Sequence, residues 1–226
     1  MNIIMDTSVA DPTSKMLGKK KVAITASEKV YKNVGIKILE ELGLKEAVPA
    51  DKMTENLLKM ADSKMGIDHV VVDVKDNPIF LQTRFRDNSY VNFNDFTIRY
   101  DIPDVEDYKG GPIKCEFFHL EAHAMFYGIC NHKLGKDVDK VTDLDKWVFC
   151  DLRIFTSLCK QGKIVITDEE LTSATGKKIS SKIKDDIMYC SLRKNTDAGD
   201  SRFIVIDVKM ANDFYKGLIK AQKGYF

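Results

Sequence analysis

The stretch Gly66-Ile67-Asp68-His69-Val70-Val71-Val72-Asp73-Val74-Lys75-Asp76-Asn77-Pro78-Ile79-Phe80-Leu81-Gln82-Thr83-Arg84-Phe85-Arg86 decides the fold. His69 to Val74 is an apolar run rich in β-branched residues, which pack well on a pleated surface and predict a strand. Asp76-Asn77-Pro78 has turn chemistry, and Ile79 to Arg86 follows as a second strand, so the segment reads as a hairpin. Strand side chains alternate with period two. Ile79, Leu81, Thr83 and Phe85 therefore share one face, while Phe80, Gln82, Arg84 and Arg86 share the other.

Upstream, Ser27 is a plausible N-cap. Val30, Tyr31, Val34, Ile38, Leu39 and Leu42 recur at helical spacing until Gly43, which predicts an amphipathic helix over residues 28–42. A second helical stretch spans residues 50–60. Downstream, the pattern predicts a strand over Phe96–Tyr100, a helix over Glu116–Ile129 and a strand over Trp147–Leu152 that runs into a helix at residues 154–159. A late strand over Phe203–Val208 and a final helix, capped by Asn212 and running through Gln222, complete the reading. This order implies a mixed α+β domain, a central mixed sheet with flanking helices. Residues 1–24 show no sustained period and are expected to be a flexible segment before a single domain over 25–226. No internal repeat, GxGxxG or GxxxxGK[ST] pattern is present, so dinucleotide and P-loop binding lack support.

With 226 residues, 44% hydrophobic and 31% charged, the chain has an ordinary globular balance and enough length for a full core. No stretch approaches the ~20 apolar residues of a bilayer crossing, and the N-terminus lacks the apolar core of a signal peptide. Five cysteines without a CxxC pair fit reduced thiols, so an intracellular location, cytoplasmic or nuclear, is expected. The formal net charge of +1 gives no global pull toward polyanions, and nucleic-acid binding would have to come from a local basic cluster. The Lys19-Lys20-Lys21 run reads better as a solvated tail than as a phosphate-contacting arm.

Asp68 opens one strand and Gln82 and Arg84 lie midway along the next, so a hairpin can gather them. A carboxylate and an amide oxygen suit a hard cation such as Mg²⁺ or Mn²⁺, which keeps several waters for a substrate phosphate. Gly66-Ile67-Asp68 followed by Gln82-Thr83-Arg84 resembles the core of the PD-(D/E)XK, or restriction-endonuclease-like, nuclease superfamily, over residues 27–158. The resemblance implies a restriction-endonuclease-like core, metal-dependent hydrolysis of DNA phosphodiesters, and often a homodimer. It makes Asp68 and Gln82 metal ligands, Arg84 the basic position and Glu28 the helix acid, with Glu40 and Glu41 on the same helix as alternatives. Arg86 and Arg99 become candidate phosphate contacts. Gln in place of an acid removes a negative charge, and Arg in place of Lys cannot act as a general base, so a catalytically inactive nucleic-acid or protein-binding module is the alternative. The plainest alternative makes Asp68 a turn cap and Gln82, Arg84 and Arg86 the wet face of an edge strand.

Other constellations are weaker. Cys115, His119 and His123 recur every four residues on the predicted helix, yet Glu121 lies about 200° around it from His119, unlike the HExxH zinc pattern, and closely paired cysteines are absent. The two histidines read better as ordinary, partly exposed helix residues. No spacing selects a Cys–His nucleophile pair, and buried thiols are the better reading. The acidic runs Asp168-Glu169-Glu170 and Asp185-Asp186 lie beside lysines and read as solvated. Phe80, Phe85, Tyr90, Phe93 and Phe96 interleave with arginines as a base-stacking surface would, but alternation sends half of them to the core.

Overall fold

A computed structural model describes residues 26–46, 67–106, 111–135, 137–195 and 201–225. The expected flexible segment and the predicted helix over 50–60 lie outside them. The described chain is mixed α+β, with twelve strands in two mixed sheets and a few helices. The first sheet runs in the order β1 (Lys45–Glu46), β2 (His69–Val72), β3 (Pro78–Arg86), β6 (Ala124–Cys130), β7 (Leu144–Asp151), β12 (Ile219–Lys223). The second runs β5 (Pro112–Lys114), β4 (Asp95–Glu106), β11 (Ser201–Asp207), β10 (Ile187–Asn195), β8 (Ile164–Thr167), with β9 (Ser181–Lys184) also on β10.

The hairpin forms as its sequence dictates. His69 pairs with Leu81 and Val72 with Pro78 across β2 and β3, and the Asp73 carboxylate closes the turn by accepting from the Lys75 and Asn77 amides at 2.8 and 2.9 Å. Helix α1 covers residues 26–41, with a single π turn at Tyr31–Gly35, and stops at Gly43, whose φ of 78° suits the left-handed residue after a helix end. Val30, Tyr31, Val34 and Leu39 pack against Leu81, Phe85 and Phe126. Gly35 permits this approach, because a Cβ there would meet Tyr31 at 3.2 Å and Phe126 and Phe85 at 3.4 Å. A larger core joins the two sheets, with Met125, Tyr127 and Cys150 of the first meeting Ile98, Ile204 and Ile206 of the second.

One predicted helix is not there and another is displaced. Glu116–His119 is one 3-10 turn, and residues 124–129 belong to β6. All seven residues of β6 are buried, since it runs between β3 and β7 with a core on either face; a continuous apolar run of this kind has no period to separate it from a buried helix. The terminal helix is α3 (Val208–Phe214), following α2 (Leu152–Lys160), and its cap is Asp207, which accepts from the Met210 amide at 2.8 Å, not Asn212. Gly217, at φ 92°, turns the chain into β12 where a helix was expected to continue. The strands also divide between two sheets, where a single central one was expected. Among the described residues no helix is long and apolar enough to cross a membrane.

Candidate functional site

Because β3 lies between β2 and β6, it is an interior strand, not an edge, and its two faces meet different neighbours. Leu81 and Phe85 are sealed under α1. The other face projects Gln82, Arg84 and Arg86 away from that helix, and both arginines reach the second sheet. Gln82 is only 4% exposed, and its Oε1 accepts no hydrogen bond. Arg84 Nη1 donates to the Thr97 carbonyl at 3.2 Å, while Nη2 donates to both Glu116 carboxylate oxygens at 2.8 and 3.1 Å. Arg86 Nη2 donates to Thr97 Oγ1 at 3.1 Å.

These arginines converge on one ring. Cross-strand register places Arg193 of β10, Phe203 of β11 and Arg99 of β4 side by side on a single rung, since Arg193 pairs with Phe203 and Phe203 with Arg99. Paired strand residues present their side chains to the same face. Arg84 and Arg86 come down on this rung from the first sheet. The guanidinium carbons of Arg84, Arg86 and Arg99 lie 5.3, 5.7 and 5.6 Å from the Phe203 ring centroid, and that of Arg86 also lies 4.5 Å from Tyr90. A ring face attracts each cation by ~0.5–2 kcal/mol, but the cations repel one another. Glu116 relieves part of the repulsion through its ion pair with Arg84, and it also accepts from the Arg99 backbone amide at 3.2 Å. Burial pulls the Arg84 guanidinium below its ordinary pKa; Glu116 opposes that shift, whereas Arg99 and Arg86 add to it. Arg99 Nε is buried without a partner.

Beside this cluster opens a cavity of ≈ 260 Å³, lined by Arg86, Arg193 and Lys194, by Tyr90, Phe93 and Phe203, and by Asp95. Desolvation raises the Asp95 pKa, opposed by the hydrogen bond from Ser180 Oγ at 2.9 Å and by the charges of Arg193 and Arg86. Planar guanidinium forks near aromatic rings can grip an anionic oxygen pair and a flat ring together.

The sequence-predicted residues divide. Asp68 precedes the His69–Leu81 pair, so it lies across from Gln82, and its Oδ2 accepts from the Thr83 amide at 2.6 Å and from Thr83 Oγ1 at 3.2 Å. Arg84, Arg86 and Arg99 come together around Phe203. Glu28 does not join them. It sits on α1, which covers the opposite face of β3, with Lys32 Nζ 3.2 Å from its carboxylate. Gln82 Oε1, an acceptor lacking a partner across from Asp68, fits a cation ligand, but the third expected donor lies beyond the sheet. Among the described residues no three His, Cys, Asp or Glu side chains are grouped to hold a metal ion. Cys115, His119 and His123 share no helix: His119 ends the 3-10 turn, and His123 lies before β6, its ring 4.7 Å from that of Phe80.

Phe203, Glu116, Thr97, Arg193 and Lys194 escaped the sequence reading. A signal existed for the basic pair, because the apolar run from Ile187 to Leu192 leads through Arg193 and Lys194 toward Asp197, Gly199 and the Phe203 strand, a hairpin pattern. No family model, curated protein or solved structure matches this chain.

Proposed function

We propose that this protein binds nucleic acid, with DNA as the leading candidate, through the arginine cluster around Phe203. The observation that carries the reading is three guanidinium groups within 5.7 Å of one phenylalanine ring, with Arg193 on the same rung, against two carboxylates, Glu116 on Arg84 and Asp95 near Arg86 and Arg193. Such a group is electrically unfinished, and phosphate oxygens supply what it lacks. Arg193 and Lys194 are exposed at the rim and extend the positive surface outward. The protein would act here as a binding module, since the Asp68 carboxylate is engaged by Thr83 and Glu28 lies across the sheet.

One observation favours a second reading, a Mg²⁺- or Mn²⁺-dependent nuclease: the buried, unpartnered Oε1 of Gln82 across from Asp68. Those two oxygens would hold the cation. When bound, it would polarise a phosphate and lower the pKa of a bound water, and Arg84 would neutralise charge on the phosphate.

Titrating labelled single-stranded and duplex DNA at several salt concentrations tests the first reading. Binding should weaken steeply with salt, Arg193→Ser with Lys194→Ser should flatten the slope by about one to two, and Asp68→Ala should leave affinity unchanged. Salt-independent binding, or none, refutes it. Incubating the same DNA with Mg²⁺ or Mn²⁺ separates the two readings: cleavage above the Asp68→Ala level establishes the nuclease, and its absence removes it.

A further inference from the structure

We infer that the cavity beside the Phe203 cluster takes one unpaired nucleotide, so that the protein selects single-stranded nucleic acid over duplex; the inference rests on the binding reading above and specifies its substrate class. The cavity, ≈ 260 Å³, is of the size that takes a small planar group such as one base. Its lining holds both kinds of group that a nucleotide engages, aromatic rings and cations. Tyr90, Phe93 and Phe203 line it together with Arg86, Arg193 and Lys194; guanidinium groups already lie over Tyr90 and Phe203, and Phe93, 47% exposed with its ring centroid 5.9 Å from that of Tyr90, is the ring open to a base.

Asp95 adds an acceptor to this lining. Its carboxylate stands in the wall, held by Ser180 and close to Arg193 and Arg86, and has acceptor capacity for the amino edge of a base. A phosphate meets cations from the rim inward, since Arg193 and Lys194 are exposed and Arg86 is half-buried. A duplex cannot satisfy this arrangement from its surface. Its bases are already stacked and paired, so one would have to be turned out of the helix, and the half-buried Arg84 and Arg99 lie too deep for the phosphates of a rigid duplex.

Phe93 provides the test, because it is 47% exposed and its ring can be removed with little effect on the core. Wild type and Phe93→Ala are compared for binding of a labelled single-stranded oligonucleotide, the blunt duplex of the same sequence, and a single strand in which every base is replaced by an abasic sugar. The wild type should bind the single strand at least tenfold tighter than the duplex at equal salt. Phe93→Ala should weaken single-strand binding about tenfold without changing its salt slope, since stacking on one ring carries that order of affinity and no charge is lost. The abasic strand should bind both proteins equally. Equal affinity of the wild type for single strand and duplex, or a Phe93→Ala effect as large on the abasic strand as on the normal one, overturns the inference. If single strand and duplex bind equally and Arg193→Ser with Lys194→Ser weakens both, the nucleic-acid reading survives and the single-nucleotide pocket alone falls. If neither DNA binds, both fall.

Discussion

Glu116→Gln should move stability and ligand affinity in opposite directions. The substitution keeps the shape of the side chain and removes the one negative charge in contact with Arg84, which now donates to both carboxylate oxygens at 2.8 and 3.1 Å. The two side chains are 15% and 24% exposed, between a solvated pair, worth ~0–1 kcal/mol, and a fully buried one, whose breaking costs ~3–5 kcal/mol. A loss of about 2 kcal/mol follows, which in a chain of this length lowers Tm by about 4–8 °C. The freed guanidinium lies in the proposed interface, where one more cation steepens the dependence of log affinity on log salt by about 0.7–0.9 and tightens binding at low salt by about fivefold, or ~1 kcal/mol. Fluorescence anisotropy of a labelled single-stranded oligonucleotide, titrated from about 50 to about 200 mM salt, reads both quantities, and a thermal melt reads the stability. A melt that falls while affinity and slope stay unchanged would show Glu116 to be a structural prop only. The proposed interface would then be wrong.

His69 and Gly128 give two further checks. Burial, reinforced by Lys32, holds the His69 pKa at about 4 against an ordinary value of 6.5, so the unfolded chain takes up a proton that the folded chain refuses. Stability should be full above pH 6.5 and decline by about 3 kcal/mol as pH falls to about 4; urea melts across that range should show it, and His69→Phe, which keeps a ring stacked on Tyr31, should flatten the curve. Gly128→Ala would place a Cβ 2.6 Å from Leu144 Cδ1 and 3.0 Å from Phe85 Cδ1, both buried, so overpacking should cost about 1–3 kcal/mol; a denaturant midpoint equal to wild type would show that this core yields freely.

How much of this could be read from sequence depended on whether the forces were local. The β2–β3 hairpin was legible because Asp73, Asn77 and the alternation from Ile79 to Arg86 act within a few residues of one another, and α1 was legible because one face is buried and Gly43 ends it. The same alternation put Gln82, Arg84 and Arg86 on one side. It failed at β6, where burial on both faces erases the period, and at the C-terminus, where Asp207 and Gly217 outweighed Asn212. The candidate site was legible only in its β3 half. Phe203 becomes its centre through a register that joins residues 99, 193 and 203 from three strands, and no spacing along the chain encodes that rung. Glu116 is hidden for a different reason: its sequence context predicts a helix, whereas a 3-10 turn aims it at Arg84.

That rung also bears on why so much positive charge is gathered at one place. A fold under pressure for stability alone has little use for three arginines around one phenylalanine, since apolar residues of similar volume would fill the space between the sheets without mutual repulsion. Here Thr97 receives Arg84 and Arg86, Glu116 balances a single charge, and Arg99 Nε is left without a partner. Each unmet donor and each uncompensated cation is a cost carried by the free protein. The cost becomes intelligible if an anionic ligand completes the arrangement, because the donors are already oriented and the ligand then replaces repulsion with charge-assisted hydrogen bonds. Phe203 serves this by fixing where the guanidinium planes lie, so that less ordering remains to be done when a phosphate arrives.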